Sequence, residues 1–493
     1  MLLAHLPILI VVLPLVAAPL VVLVRHGGVG WAVALGVSAA STAMSVAVLA
    51  EVPGTGVLSY AIGSWEPPWG IEYRIDAGNA LVALLVSAVA TIVLPAAKRT
   101  VLLEVGADRE YLFYALFLLC LCGLLGIALT GDAFNVFVFL EISSLATYAL
   151  IALGRDRRAL TAAYQYLLLG TIGATLYVIG VGLLYLVTGT LNFADMAQRL
   201  PAVVDRRPVI AGLAFITVGM GLKAAIFPLH AWLPNAYAHA PSAVSAFLAA
   251  TATKVSLYVM MRVYYSVIGA PTAFGAEPTG AILMALSIAA LLVGSGAAIV
   301  QRDLRLMLAF SSVGQIGYIT LGISLASAAG MTAAMAHLIN HGLTKGALFL
   351  LVAGVALRLG GTRFEQIAGL GRTMPITSFA IVIGGLSLIG VPGTAGFASK
   401  WALVVAAIGA GLWWVAAIVL ASSLLALAYV WKFVEAAYLS APPAGAPARG
   451  EAPADVTVPA LVLTAAVVAF GLHATPVLEA SSRAASAFLR GWP

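Results

Sequence analysis

The chain has 493 residues, of which 62% are hydrophobic and only 9% charged. A domain that faces water on all sides carries roughly a quarter of its residues charged, so this composition excludes a soluble protein. The formal charge of +6 is then a question of which loops hold the lysines and arginines, and not a sign of nucleic-acid binding.

Apolar runs of the roughly 20 residues that cross a bilayer recur from end to end. Leu2–Val24 is the first, and Tyr111–Thr130, Thr161–Val187 and Ala281–Val300 are further examples. About fourteen runs meet the length criterion, which predicts an all-α polytopic membrane protein. Arg25 and His26 follow the first run. That order reads as a first helix with its N-terminus outside, rather than a cleaved secretory signal. Lys98-Arg99, Arg155–Arg158, Arg302/Arg305 and Arg358/Arg363/Arg372 thread into cytoplasmic loops, and the acid-rich Glu51–Asp76 falls outside. Arg199, Arg206 and Arg207 break the pattern. The balance puts both termini outside a bacterial or archaeal cytoplasmic membrane.

No extramembrane domain of any size interrupts the runs. The polar connections are Glu51–Gly78, Thr188–Pro208 and Ser440–Asp455, the last too rich in Pro, Ala and Gly to continue a helix. It sets a final span, Val456–Leu472, apart from the body, and His473–Pro493 reads as a surface helix or a frayed tail. Cys120 and Cys122 share one apolar run. Two cysteines hold no iron–sulfur cluster, and they read as small core residues.

Two spans pair a helix breaker with a lysine. One carries Lys223 followed by Phe227-Pro228-Leu229-His230. The other carries Pro392, Gly393 and Gly396 followed by Ser399-Lys400-Trp401. Interrupted helices in corresponding halves point to a transporter built from repeats. The chain then divides into N-terminal helices (1–110), two repeats (111–265 and 279–438), and a C-terminal helix and tail (456–493).

An ionised side chain at mid-bilayer costs about 2.5–3.5 kcal/mol or more, so buried charges must be paired, hydrated or functional. Glu141 stands among Phe137, Phe139, Leu140 and Ile142, next to Ser143 and Ser144, and reads as a proton-carrying carboxylate or a structural ion-pair partner. Lys223 precedes the Pro228 break, where it can exchange a proton with help from a nearby Glu141. Lys254 lies too deep to snorkel. His337, His341 and Lys345 fall at i, i+4 and i+8 on one helix face, with Asn340 and Thr344 beside them. Two histidines in a stripe suit a proton wire. A metal reading is weak, because a lysine one turn on repels a cation. Lys400 follows the second break and suits a terminal loading or exit site. His230 and His239 flank the first break as candidate proton-uptake groups. Asp132 reads as a helix cap. No Walker loop, dinucleotide turn or haem motif occurs, so no cofactor is expected, and energy arrives as an ion gradient or from redox subunits.

The segments GLKAAIFPLHAWLPNAYAHAPSAVSAFLAATATKVSLY (221–258), HLINHGLTKGALFL (337–350), GVPGTAGFASKW (390–401) and FVFLEISSLATYALI (137–151) resemble the antiporter-like membrane subunits of complex I, membrane-bound hydrogenases and Mrp-type Na+/H+ antiporters. The resemblance covers about the whole chain. It implies 14 transmembrane helices in two inverted repeats, each with a broken helix. It assigns Glu141 and Lys223 to a coupled pair and Lys254 to a connecting lysine. His337, His341 and Lys345 become a central axis, and Lys400 a terminal site. The overall look is that of the D subunit of Mrp-type antiporters. Lys400 departs from the complex I member with glutamate there, and no long lateral helix follows the last span. The similar-sized complex I subunit and the hydrogenase subunits remain open.

Two functions follow. The first is the proton-translocating subunit of a multisubunit Na+/H+ antiporter. The alternative is a proton-pumping subunit of a redox complex, an NADH:quinone oxidoreductase or a membrane-bound hydrogenase. A scaffold that carries no ions fails to explain the intramembrane charges. In both functions other membrane subunits are partners. No carboxylate cluster resembles a Na+ site, which leaves the cation path to a partner.

Overall fold

The computed structural model describes residues 5–491 apart from Asp205, Glu277 and Ala446. The start of the Leu2–Val24 run and the two chain ends, 1–4 and 492–493, lie outside the described residues. Thirteen helical segments among the described residues are long and apolar enough to cross a bilayer. Two shorter apolar helices, Pro375–Ile389 and Ala395–Gly409, are the halves of a further broken crossing. The chain is a multi-pass, all-α membrane protein.

Three helices lead: α1 (Leu6–Val24), α2 (Gly27–Thr55) and α3 (Ala77–Glu104). The Glu51–Gly78 connection holds an antiparallel hairpin, β1 (Leu58–Ala61) and β2 (Glu72–Ile75), with Leu58 opposite Ile75. Asp76 starts α3 with a capping box: its side chain accepts from the amides of Gly78 and Asn79, and the Asn79 side chain accepts from the Asp76 amide.

Two runs of elements then follow in matching order. The first comprises α4 (Glu110–Leu129), α5 (Ala133–Ala152), the 32-residue α6 (Arg157–Thr188) and a loop with α7 (Phe193–Arg199). It continues through the broken pair α8 (Arg207–Ala224) and α9 (Trp232–His239), then α10 (Ser242–Ala250) and α11 (Ala252–Met261), and closes in a π-helical turn, Arg262–Val267. The second comprises α12 (Thr279–Val300), α13 (Leu304–Ser324), the 32-residue α14 (Ala328–Leu359) and a loop with α15 (Leu370–Thr373). It continues through the broken pair α16 (Pro375–Ile389) and α17 (Ala395–Gly409), then α18 (Trp413–Val434) and a π-helical turn, Glu435–Leu439. The likeness reaches the caps. Asp132 Oδ1 accepts from the Asn135 amide at 2.7 Å to start α5, and Asp303 Oδ1 accepts from the Arg305 amide at 2.8 Å to start α13. Each aspartate also bridges to the loop beyond its 32-residue helix, Asp132 to Asn192 and Asp303 to Arg363.

The breaks have local causes. At the first, Ala225 takes a φ of 55°, and the amides of Ala225 and Ile226 fold back onto the carbonyls of Leu222 and Gly221. Pro228 then removes the donor that a continuing helix would use. At the second, Gly390 and Gly393 take φ values of 89° and 87°, which glycine allows without strain. Gly396, the second residue of α17, lets the two halves approach: a Cβ there would lie 1.9 Å from the Ser387 carbonyl oxygen. A third interruption was not foreseen. Thr251 leaves helical geometry at φ −126° and ψ −56° and separates α10 from α11, three residues before Lys254.

The chain finishes with α19 (Ala454–Leu472) and α20 (Thr475–Arg490). The tail is thus an ordered amphipathic helix, seated on α3 and α14 through Val477, Ala484, Ala485 and Phe488. Cys120 and Cys122 are free and buried. Asp132 serves as the cap its position suggested.

Candidate functional site

The buried lysines are held by hydroxyls and backbone carbonyls. Lys223 lies in the last turn of α8, at the negative end of a half-helix dipole. It is 4% exposed, and its Nζ donates to Ser144 Oγ of α5 at 2.6 Å. Lys400 reaches the corresponding place from the other side of its break. From α17 it folds back to donate to the carbonyls of Leu388 and Ile389, at 2.7 and 3.1 Å, at the end of α16. It also donates to Tyr318 at 3.1 Å and Ser423 at 3.3 Å. Lys254 uses the interruption at Thr251 in the same way, donating to the Ala249 carbonyl at the end of α10. Lys345 of α14 donates to the Leu308 carbonyl at 2.7 Å and Ser311 Oγ at 2.5 Å on α13. None of these four ammonium groups has a carboxylate at ion-pair distance among the described residues. Carbonyl and hydroxyl partners serve an amine in either protonation state, whereas a carboxylate would lock in the charged form.

The histidines lie between Lys400 and Lys345. His337 bridges two helices, with Nδ1 2.9 Å from Ser399 Oγ of α17 and Nε2 3.1 Å from Gln315 Oε1 of α13. The His341 ring stacks against it, with centroids 6.0 Å apart. Both His341 ring nitrogens are buried without a protein partner among the described residues, as is Asn340 Oδ1. Buried polar atoms of this kind are ordinarily satisfied by ordered water. Lys254, Lys345 and Lys400 all contribute to the field at His341, and Lys254 acts on Lys345, so these groups form one neighbourhood.

The expected Glu141–Lys223 pair is looser. Glu141 is half-buried on α5 and acts on Lys223 through space without an ion-pair contact. Ser144, one turn further along the same helix, takes the ammonium instead. Lys223 has no hydrogen bond to Lys254 or the α14 groups among the described residues.

His239 and His230 part company. His239 lies on the wall of a cavity of about 1080 Å³, with Glu104, Asp156, Arg158, Arg302 and Arg305. Its Nδ1 is 3.7 Å from Asp156 Oδ2. The arginine-rich loops therefore meet at one face, as their charge suggested. His230 stacks on Phe227 at 5.3 Å and is not on that wall. Pro228 and Pro392 are exposed on the outer surface of the bundle.

Sequence reasoning missed Gln315, Tyr318 and Ser311, which hold His337, Lys400 and Lys345. A signal was present: Ser311, Gln315 and Tyr318 recur at helical spacing inside an apolar run. It also missed the buried pair Asp76–Arg262. Asp76 was counted with its loop, and Arg262 stood at the edge of its span.

The match to known proteins is extensive. The family described as NADH:quinone oxidoreductase/Mrp antiporter, transmembrane region, matches residues 130–426. The NADH-quinone oxidoreductase subunit N of Desulforudis audaxviator is 43% identical over 494 residues, 97% of this chain and 97% of that relative. The D subunit of the Na(+)/H(+) antiporter of Alkalihalophilus pseudofirmus is 30% identical over 453 residues, 90% of this chain and 89% of that relative. A chain of the solved Mrp complex from Dietzia sp. DQ12-45-1b superposes with a TM-score of 0.90 at 28% identity, over 99% of this chain and 98% of that one. This chain belongs to the NADH:quinone oxidoreductase/Mrp antiporter transmembrane family.

Proposed function

We propose that this chain is the proton-conducting membrane subunit of a multisubunit Na+/H+ antiporter in a bacterial or archaeal cytoplasmic membrane, with both termini outside. The observation that carries the reading is the set of buried lysines and His337 held by carbonyls, hydroxyls and one amide, with His341 beside them. Such partners tolerate loss and gain of a proton at each amine. In this reading 111–265 and 279–438 are two repeats. Five crossings in the first set the second in the opposite orientation, so their half-helices end mid-membrane from opposite sides.

A proton enters through the charged cavity at His239, with His230 beside the break, and loads Lys223 under the influence of Glu141. It crosses by water to Lys254, runs along Lys345, His341 and His337, and leaves by Lys400. The break at Pro228 leaves Lys223 in the last turn of its half-helix, and the break at Pro392, Gly393 and Gly396 supplies the half-helix end that holds Lys400. In this reading the Na+ path lies in a partner subunit.

A second reading has its own support. The 43% identity to a protein named NADH-quinone oxidoreductase subunit N favours a redox-driven pump that uses the same row. Mass spectrometry of the gently purified complex separates the two. Small antiporter subunits without redox proteins support the first, and iron–sulfur, flavin or hydrogenase subunits overturn it in favour of the second.

A further inference from the structure

Lys254 begins a polar stripe that leaves the lysine–histidine row. Lys254, Tyr258, Arg262 and Ser266 recur every four residues, and all four are buried. Arg262 Nε approaches the Tyr258 hydroxyl at 3.4 Å, and its Nη1 donates to Ser266 Oγ at 3.1 Å. The stripe runs away from the arginine-rich face, towards the side of the β1–β2 hairpin. There Asp76, at the start of α3, takes Arg262 in a two-pronged pair: Nη1 lies 2.8 Å from Oδ2, and Nη2 donates to Oδ1 at 2.9 Å. Both side chains are 2% exposed.

A third element closes the end. Phe488 of α20 lays its ring 4.5 Å from the guanidinium, and its carbonyl accepts from Ser266 Oγ at 3.1 Å. The ring also fills the space over Gly78, where a Cβ would come within 2.9 Å of it. The residue is fully buried.

We propose that Arg262, pinned by Asp76 and covered by Phe488, is a proton seal that keeps Lys254 from discharging to the hairpin side within the first repeat. The inference rests on the reading of Lys254 as a proton-carrying group. An arginine does not release its proton under protein conditions, so it conducts nothing, and its two-pronged pair with Asp76 plugs the stripe with groups already matched to each other. Phe488 excludes the water that would bridge Tyr258 to the outside, and its face holds the guanidinium in place. With this branch shut, a proton on Lys254 has only the lateral route to His341 and Lys345.

The test is passive proton conductance of proteoliposomes that hold the intact complex, without a driving ion gradient or reductant. The double variant Arg262→Gln/Asp76→Asn keeps a hydrogen-bonded neutral pair and removes the ion pair. Phe488→Ala removes the cover and carries the test if the double variant does not assemble. Each raises the leak about tenfold, the change that follows from about 1.4 kcal/mol off a barrier, and adding Lys254→Met returns it to the wild-type level. The seal is overturned if the assembled variants are as tight as wild type, or if their leak ignores Lys254→Met. Full coupled transport in Lys254→Met alone would instead refute the role of Lys254 on which the inference rests.

Discussion

At the scale of single residues, the physical problem is how to keep an amine buried and still able to change charge. The chain solves it with helix ends. Lys254 and Lys400 donate to carbonyls at the ends of interrupted helices, and Lys223, in the last turn before its break, donates to the Ser144 hydroxyl. The lysines and histidines were legible because a charge in an apolar run is conspicuous. Their partners were not, because a serine, a glutamine or a free carbonyl leaves little trace in composition. Two predictions belong here. Glu141→Ala lowers proton transport by the reconstituted complex at least about tenfold, roughly 1.4 kcal/mol on the barrier, without loss of assembly. Normal transport in that variant contradicts the coupling of Glu141 to Lys223. Gln315→Ala removes a partner of His337 and leaves a buried ring nitrogen unsatisfied, at a cost of about 1–3 kcal/mol. A lowered midpoint in thermal unfolding of the complex, together with slower transport, is the expected outcome, and an unchanged midpoint contradicts it.

At the scale of elements, proline and glycine made the two main breaks readable, and the structure assigns each a separate task. Pro228 removes a donor, Gly390 and Gly393 turn the chain, and Gly396 permits contact. Thr251 gave no such signal, because its departure from helical geometry comes from tertiary packing rather than from a residue that cannot be helical. The amphipathic α20 was readable only as a surface helix or a frayed tail, since what it covers depends on α3 and α14. Gly396→Ala forces a Cβ onto the Ser387 carbonyl. Overpacking of this kind costs about 1–3 kcal/mol. The variant complex should unfold at lower temperature and lose transport more than a Gly409→Ala control, where a Cβ meets nothing within 4 Å. Equal behaviour of the two variants would show that the break tolerates a side chain.

At the scale of the whole molecule, fold class and the arginine-rich face followed from the sequence, since the bilayer allows few arrangements. The paired breaks pointed to two repeats, but the detail of the likeness did not show, because residue identity between the two runs is weak while caps, helix lengths and π-helical turns match. Sidedness is open to direct measurement. Cys120 and Cys122 are buried, so Arg483→Cys on α20 offers a site of low background. A membrane-impermeant thiol reagent should label it in intact cells, and labelling only in inverted vesicles contradicts an outside C-terminus. The central claim is that protons cross the membrane region along the buried row of this chain, and Lys254 stands where the two runs meet. Coupled proton transport by the reconstituted complex carrying Lys254→Met tests it most directly. The account predicts a fall of at least about tenfold in a complex that assembles with its full set of subunits, and transport at the wild-type rate would contradict it.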